Sequence, residues 1–87
     1  MTYKVEIRPS ALKSIDKIDR QSRARVLRRI QALAEDPRPA GCEKLTNEDN
    51  LWRVRAGDYR VVYQILDDAL LVTVVRVGHR SQVYQSR

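Results

Sequence analysis

Residues 51 to 65, Leu51-Trp52-Arg53-Val54-Arg55-Ala56-Gly57-Asp58-Tyr59-Arg60-Val61-Val62-Tyr63-Gln64-Ile65, decide the fold. Two runs of alternating character flank the Ala56-Gly57-Asp58 turn, so the stretch reads as a β-hairpin. Successive side chains of a strand point to opposite faces. Trp52 and Val54 therefore share one face, with Arg53 and Arg55 on the other. On the return strand Tyr59, Val61, Tyr63 and Ile65 lie together, and Arg60 points away from them. A hydrophobic layer is thus backed by the guanidiniums of Arg53, Arg55 and Arg60, the side chain whose planar fork best matches phosphate geometry. The face reads as one built to hold a polyanion.

Working outward, composition bounds the rest. With 87 residues the chain is expected to form one domain over residues 1–87, large enough for a single core without staples. The hydrophobic share of 43% and its regular patterning argue against disorder. The net charge of +6 suits a nucleic-acid partner. Basic residues also serve solubility, but a solubilising surface intersperses both signs. From Leu51 onward every Lys/Arg position is arginine: Arg53, Arg55, Arg60, Arg76, Arg80 and Arg87. Asp58, Asp67 and Asp68 oppose them from the two turns rather than from the strands. Arg53 and Arg55 lie about 7 Å apart along a strand, similar to the spacing of successive phosphates on one nucleic-acid strand. A solvated sheet face is the competing reading, and the all-arginine usage favours the polyanion.

Upstream, Thr2 to Ile7 alternates Tyr3, Val5 and Ile7 against Lys4 and Glu6, the pattern of a first strand. Pro9 suits the first turn of a helix, and Ala11, Leu12, Ile15 and Ile18 give an apolar stripe from Ser10 to about Ile18. Asp19 can cap a second helix with the stripe Val26, Leu27, Ile30, Leu33 and Ala34. The rest of its surface carries Arg20, Arg23, Arg25, Arg28 and Arg29, an exposed face equally able to touch RNA. It ends before Pro37. Residues 36–50 have the composition of a loop, with Leu45 its expected anchor. Downstream of the hairpin, Leu70 to Gly78 is apolar on both faces over most of its length, as in an interior strand. The order is β-α-α-β-β-β, predicting an α+β fold with two N-terminal helices on a mainly antiparallel four-stranded sheet.

Other chemistries find no footing. There is no Gly-rich phosphate loop, no His/Cys/Asp metal spacing and no nucleophile elbow, so neither metal nor cofactor is expected. Cys42 is the one cysteine, and no intrachain disulfide can form. No apolar run approaches the roughly 20 residues that span a membrane. The opening Met-Thr-Tyr-Lys-Val-Glu lacks a signal peptide's apolar core, so the cytoplasm is the expected location. Near the C-terminus, His79 is either a surface residue or an acid–base group. Tyr84 either stacks on a base or fastens the tail.

The segments Leu51-Trp52-Arg53-Val54-Arg55, Gly57-Asp58-Tyr59-Arg60-Val61-Val62-Tyr63 and Val77-Gly78-His79-Arg80-Ser81-Gln82-Val83-Tyr84 resemble the RelE toxins of the RelE/ParE superfamily of bacterial toxin–antitoxin systems. Weaker similarity lies in the opening strand with Ala11-Leu12-Lys13 and in Asp36-Pro37-Arg38-Pro39 to Lys44-Leu45, so nearly the whole chain is covered. The likeness is closer to the RNases than to the gyrase-poisoning ParE branch. It implies a metal-independent mRNA endonuclease acting in the ribosomal A site, in which the ribose 2′-hydroxyl attacks the adjacent phosphate. Carried over by position, Arg53 and Arg55 are the paired basic residues and Arg60 neutralises the scissile phosphate. Arg80 acts on the leaving group, and Tyr84 stacks on or orients the substrate. The best-known pattern has lysines where Arg53 and Arg55 stand. Arginine is a poor base, so these two act electrostatically or the base is elsewhere, with His79 the substitute. The spacing from Arg80 to Tyr84 is also shorter than in that pattern. The resemblance further implies a cognate antitoxin, ribosome and mRNA as partners, DNA reached only through the antitoxin, and no membrane. A ParE-like gyrase inhibitor and a catalytically degenerate RNA- or antitoxin-binding module are the alternatives.

Overall fold

The computed structural model describes residues 2–45 and 50–80. Strand β1 (Lys4–Ile7) leads into helix α1 (Pro9–Asp16) and helix α2 (Arg20–Ala32). A two-residue strand β2 (Glu43–Lys44) precedes β3 (Leu51–Ala56), β4 (Tyr59–Leu66) and β5 (Leu71–His79). The sheet order is β1-β5-β4-β3-β2, antiparallel except where β1 runs parallel to β5. The α+β expectation holds, with five strands in place of four. The added strand falls in the segment that reads as loop, since two exposed residues carry neither alternation nor apolar character. As expected, β5 is interior, between β1 and β4.

The helices form where their caps say they should. Pro9 opens α1, where its missing N–H has no partner to lose. Asp19 caps α2 by accepting the Ser22 N–H at 3.1 Å, and that bond holds its carboxyl below the usual range. Ala11, Ile15 and Ile18, followed by Val26, Ile30 and Leu33, meet Val54, Ala56, Val61, Tyr63, Ile65, Val72, Val74 and Val77 of the sheet in one buried core. The helices thus cover the face predicted to be apolar and leave Arg53, Arg55 and Arg60 on the other.

One irregularity decides what else lies on that other face. The β4–β5 ladder pairs Val62 with Arg76 but Tyr63 with Val74, so Val75 is an extra residue in β5. Such a bulge reverses the facing of every residue beyond it. Without it Arg76 would share the buried face of Val72 and Val74. With it, Val77 enters the core at 3% exposure and Arg76 is exposed.

Candidate active site on the arginine face

The register arranges this face in two rows. The first crosses the sheet as Glu43, Arg53, Val62 and Arg76, and the second as Arg55, Arg60 and Gly78. Neighbouring strands lie about 4.8 Å apart, and the rows about 7 Å. Arg60 therefore stands near the middle of a group of cations, with Arg53 and Arg55 on one side and Arg76 diagonally on the other. Gly78, its direct neighbour on β5, presents no side chain.

Burial separates these arginines. Arg60 is 6% exposed and is the buried charged residue among those described. Val62, at 3%, is enclosed beside it, so this part of the face is not freely solvated. A charge in such a setting acts through less water and is felt more strongly. Arg55 is exposed, and the Arg53 side chain is 17% exposed. Arg53 Nη2 is ion-paired with Glu43 Oε1. The carboxylate of Glu43, 61% exposed, thus sits directly against the arginine face.

Glu43 is the residue that the sequence conceals. Nothing in Gly41-Cys42-Glu43-Lys44-Leu45 alternates, and only its pairing opposite Arg53 brings it to the site. Arg76 was concealed differently, by the bulge. The one signal available was an arginine at a core-facing parity, which a regular strand could not have buried.

The remaining predicted residues separate. His79 pairs with Tyr59 and meets its ring edge-on, with centroids 5.6 Å apart. Tyr59 packs against the core, so His79 belongs to the helix-bearing side, opposite Arg60. The candidate acid–base histidine is not brought to the arginine face. Arg80 is exposed, and its backbone N–H donates to Asp58 O at 2.9 Å, fixing it beside the hairpin turn. Tyr84 lies outside the described residues.

The connection carrying Glu43 is tied down on the core side of the sheet. The Tyr63 hydroxyl donates to Pro37 O at 2.7 Å, and burial, then Cys42, pushes the phenol well above its ordinary range. Arg38 grips Asp67 through Nη1 at 3.2 Å and Nη2 at 2.8 Å, and the Tyr3 hydroxyl donates to Asp67 Oδ1 at 2.7 Å. The Arg38 guanidinium also lies 5.1 Å from the Trp52 ring centre, with Lys44 Nζ at 5.9 Å. Arg38 first, then Tyr3, holds the Asp67 carboxyl below the usual carboxylate range. Its contribution to stability is therefore present above about pH 4 and fades as acid protonates it. Thermal melts from about pH 6 down to pH 3 should fall more steeply for the native chain than for Asp67→Asn, and parallel curves would exclude this clamp as an acid-sensitive fastener.

Sequence comparison places this geometry. The family described as ParE toxin of type II toxin-antitoxin system, parDE, matches residues 5–84. The chain belongs to the RelE/ParE family of toxins. A putative RelE-like toxin protein of Escherichia coli is 32% identical over 88 residues, which cover 97% of this chain and 92% of that one. The mRNA interferase toxin RelE of Escherichia coli K12 is 31% identical with the same coverage. The solved archaeal RelE–RelB complex from Pyrococcus horikoshii OT3 aligns with a TM-score of 0.82 at 26% identity, covering 94% of this chain and 99% of that chain. Fold, family and relatives agree on a RelE-like type II toxin. Among the described residues, no helix of this toxin is long and apolar enough to cross a membrane.

Proposed function

We propose that this RelE-like toxin is an endoribonuclease that cuts mRNA in the ribosomal A site. The observation that carries the reading is the pair of cross-strand rows placing Arg53, Arg55, Arg60 and Arg76 on one face with Glu43 at its edge. Transphosphorylation needs a base for the 2′-hydroxyl, charge stabilisation at phosphorus and a proton for the departing oxygen. Glu43 takes the 2′ proton as the O2′–P bond forms. Arg60, central and buried, neutralises the charge that grows on the phosphoryl oxygens. Arg53 and Arg55 hold the flanking backbone, and Arg53 keeps Glu43 oriented until substrate arrives. Arg80 stabilises the charge on the O5′ as its bond to phosphorus breaks, and a proton from water completes the 5′-hydroxyl, leaving a cyclic phosphate on the other fragment. Tyr84 orients the base by stacking. No step is routed through a metal.

The partners follow from the same surface. An arginine face and a second helix rich in exposed arginine favour an acidic, amphipathic antitoxin segment that orders on binding. Relatives solved as RelE–RelB complexes support such a partner. The antitoxin supplies any contact to operator DNA, and the toxin acts where ribosomes are, in the cytoplasm.

A second reading draws on the description of the matching family as ParE toxin, namely gyrase inhibition without RNA cleavage. Adding purified toxin to programmed ribosomes and mapping RNA ends separates the two. The nuclease should create 5′-hydroxyl ends within the A-site codon and stop methionine incorporation in cells within minutes. Early loss of thymidine incorporation with normal methionine uptake and intact mRNA would establish the gyrase reading instead.

A further inference from the structure

The β2 strand covers β3 only as far as Arg53, so among the described residues the outer edge of the hairpin tip has no strand neighbour. Leu51 O accepts from Leu45 N at 2.9 Å. Because alternate residues of an antiparallel strand bond to the same side, the carbonyls of Leu51, Arg53 and Arg55 all face outward from β4. Beyond the end of β2, the Arg55 carbonyl finds its donor on a helix: Arg29 Nε–H donates to it at 3.1 Å. One turn earlier on the same face of α2, Arg25 lies over the hairpin turn. A Cβ added to Gly57 would sit 2.7 Å from Arg25 Nη1 and 3.3 Å from its Cδ. Gly57 also holds φ at +65°, the left-handed start that a two-residue type II′ turn requires.

What the tip carries makes this attachment matter. Ala56 and Tyr59 close the turn, so the ladder's alternation makes Arg55 and Arg60 a non-hydrogen-bonded pair, with Cα atoms about 4.5 Å apart and side chains at their closest. Like charges directly opposite one another destabilise a strand pair. The site needs a fixed spacing between these two guanidiniums, and the contacts from α2 act on the backbone that sets it.

We propose that Arg29, assisted by Arg25, is a positioning residue that clamps the hairpin tip from the helix side and presets the Arg55–Arg60 pair for the scissile phosphate. The assignment rests on the nuclease reading above. Arg29 touches no substrate in this scheme; it acts through the Arg55 backbone.

The test compares native toxin, Arg29→Ala and Arg29→Lys in cleavage on programmed ribosomes, together with amide hydrogen exchange on the isolated proteins. Arg29→Ala should lower kcat by about 10-fold or more, a loss in keeping with a small misplacement of reacting groups. KM and the salt dependence should stay near native, and exchange at the Tyr59 amide should accelerate. Arg29→Lys, which retains a donor at comparable reach, should restore most of the rate. A rise in KM with kcat intact and a salt slope shallower by about 1 would make Arg29 an RNA-backbone contact and overturn the proposal. A lowered Tm with native kcat would reduce it to an ordinary structural bond, and that also overturns it. If the native toxin cuts nothing, the nuclease reading fails by itself, and exchange still decides the clamp: native-like protection at Tyr59 in Arg29→Ala excludes it.

Discussion

Arg60→Ala should abolish A-site cleavage and growth arrest, with kcat lower by about 10²- to 10³-fold or more. Preorganised charge at the site of developing negative charge is commonly the largest single catalytic contribution, and its removal costs at least that much. Because Arg60 is 6% exposed, the alanine variant also empties a buried position and requires a control for folding. Arg60→Lys supplies it. Lysine keeps the charge and most of the stem but lacks the fork that holds two phosphoryl oxygens at once. It should melt near the native temperature and still lose most of the rate. A folded Arg60→Ala toxin that arrests growth like the native chain would remove Arg60 from the reaction and, with it, the centre of the proposed site.

The hairpin was legible because its periodicity is strong: Trp52, Val54, Val61, Tyr63 and Ile65 fall on one face, and Arg53, Arg55 and Arg60 on the other. Asp19 was legible as a cap, and the run from Leu70 to Gly78 as an interior strand, for equally local reasons. Two features were not. Strand β2 is two residues long, too short to show any period, and it exists because Glu43 and Lys44 find partners on β3. The bulge at Val75 carries no glycine or proline to announce it. It is forced by the conflict between an arginine at position 76 and a core that extends past it to Val77. Both misses concern pairing between distant segments, and both moved functional candidates: β2 delivers Glu43 to the site, and the bulge turns Arg76 toward the site and His79 away from it. Alternation located Arg53, Arg55 and Arg60 and the resemblance suggested their roles, while their mutual arrangement had to come from the register.

The proposed assignment of the 2′ proton to Glu43 rests on that arrangement, and Glu43→Gln tests it most sharply. The amide keeps the shape of the carboxylate and an oxygen for Arg53, but it cannot accept the 2′ proton. Its loss should lower single-turnover cleavage by about 10²- to 10⁴-fold, the size expected for a general base. It should also erase the fall in rate toward acidic pH that a carboxylate base imposes. Substrate binding should move the opposite way: the neutral amide holds Arg53 less strongly and no longer repels phosphate, so KM should fall and its salt dependence steepen. A variant that merely disturbs the site would lose rate and affinity together. On the leaving-group side, Arg80→Ala should cost roughly 10²-fold. His79→Ala should cost much less, because its imidazole stands against Tyr59 on the other side of the sheet, and geometry precedes pKa in choosing a catalytic acid or base. A Glu43→Gln toxin cleaving at the native rate would exclude the carboxylate. If the native profile instead shows a titration near neutrality that disappears in His79→Ala, the histidine is the proton carrier, and substrate binding must reorganise the end of β5 to bring it across.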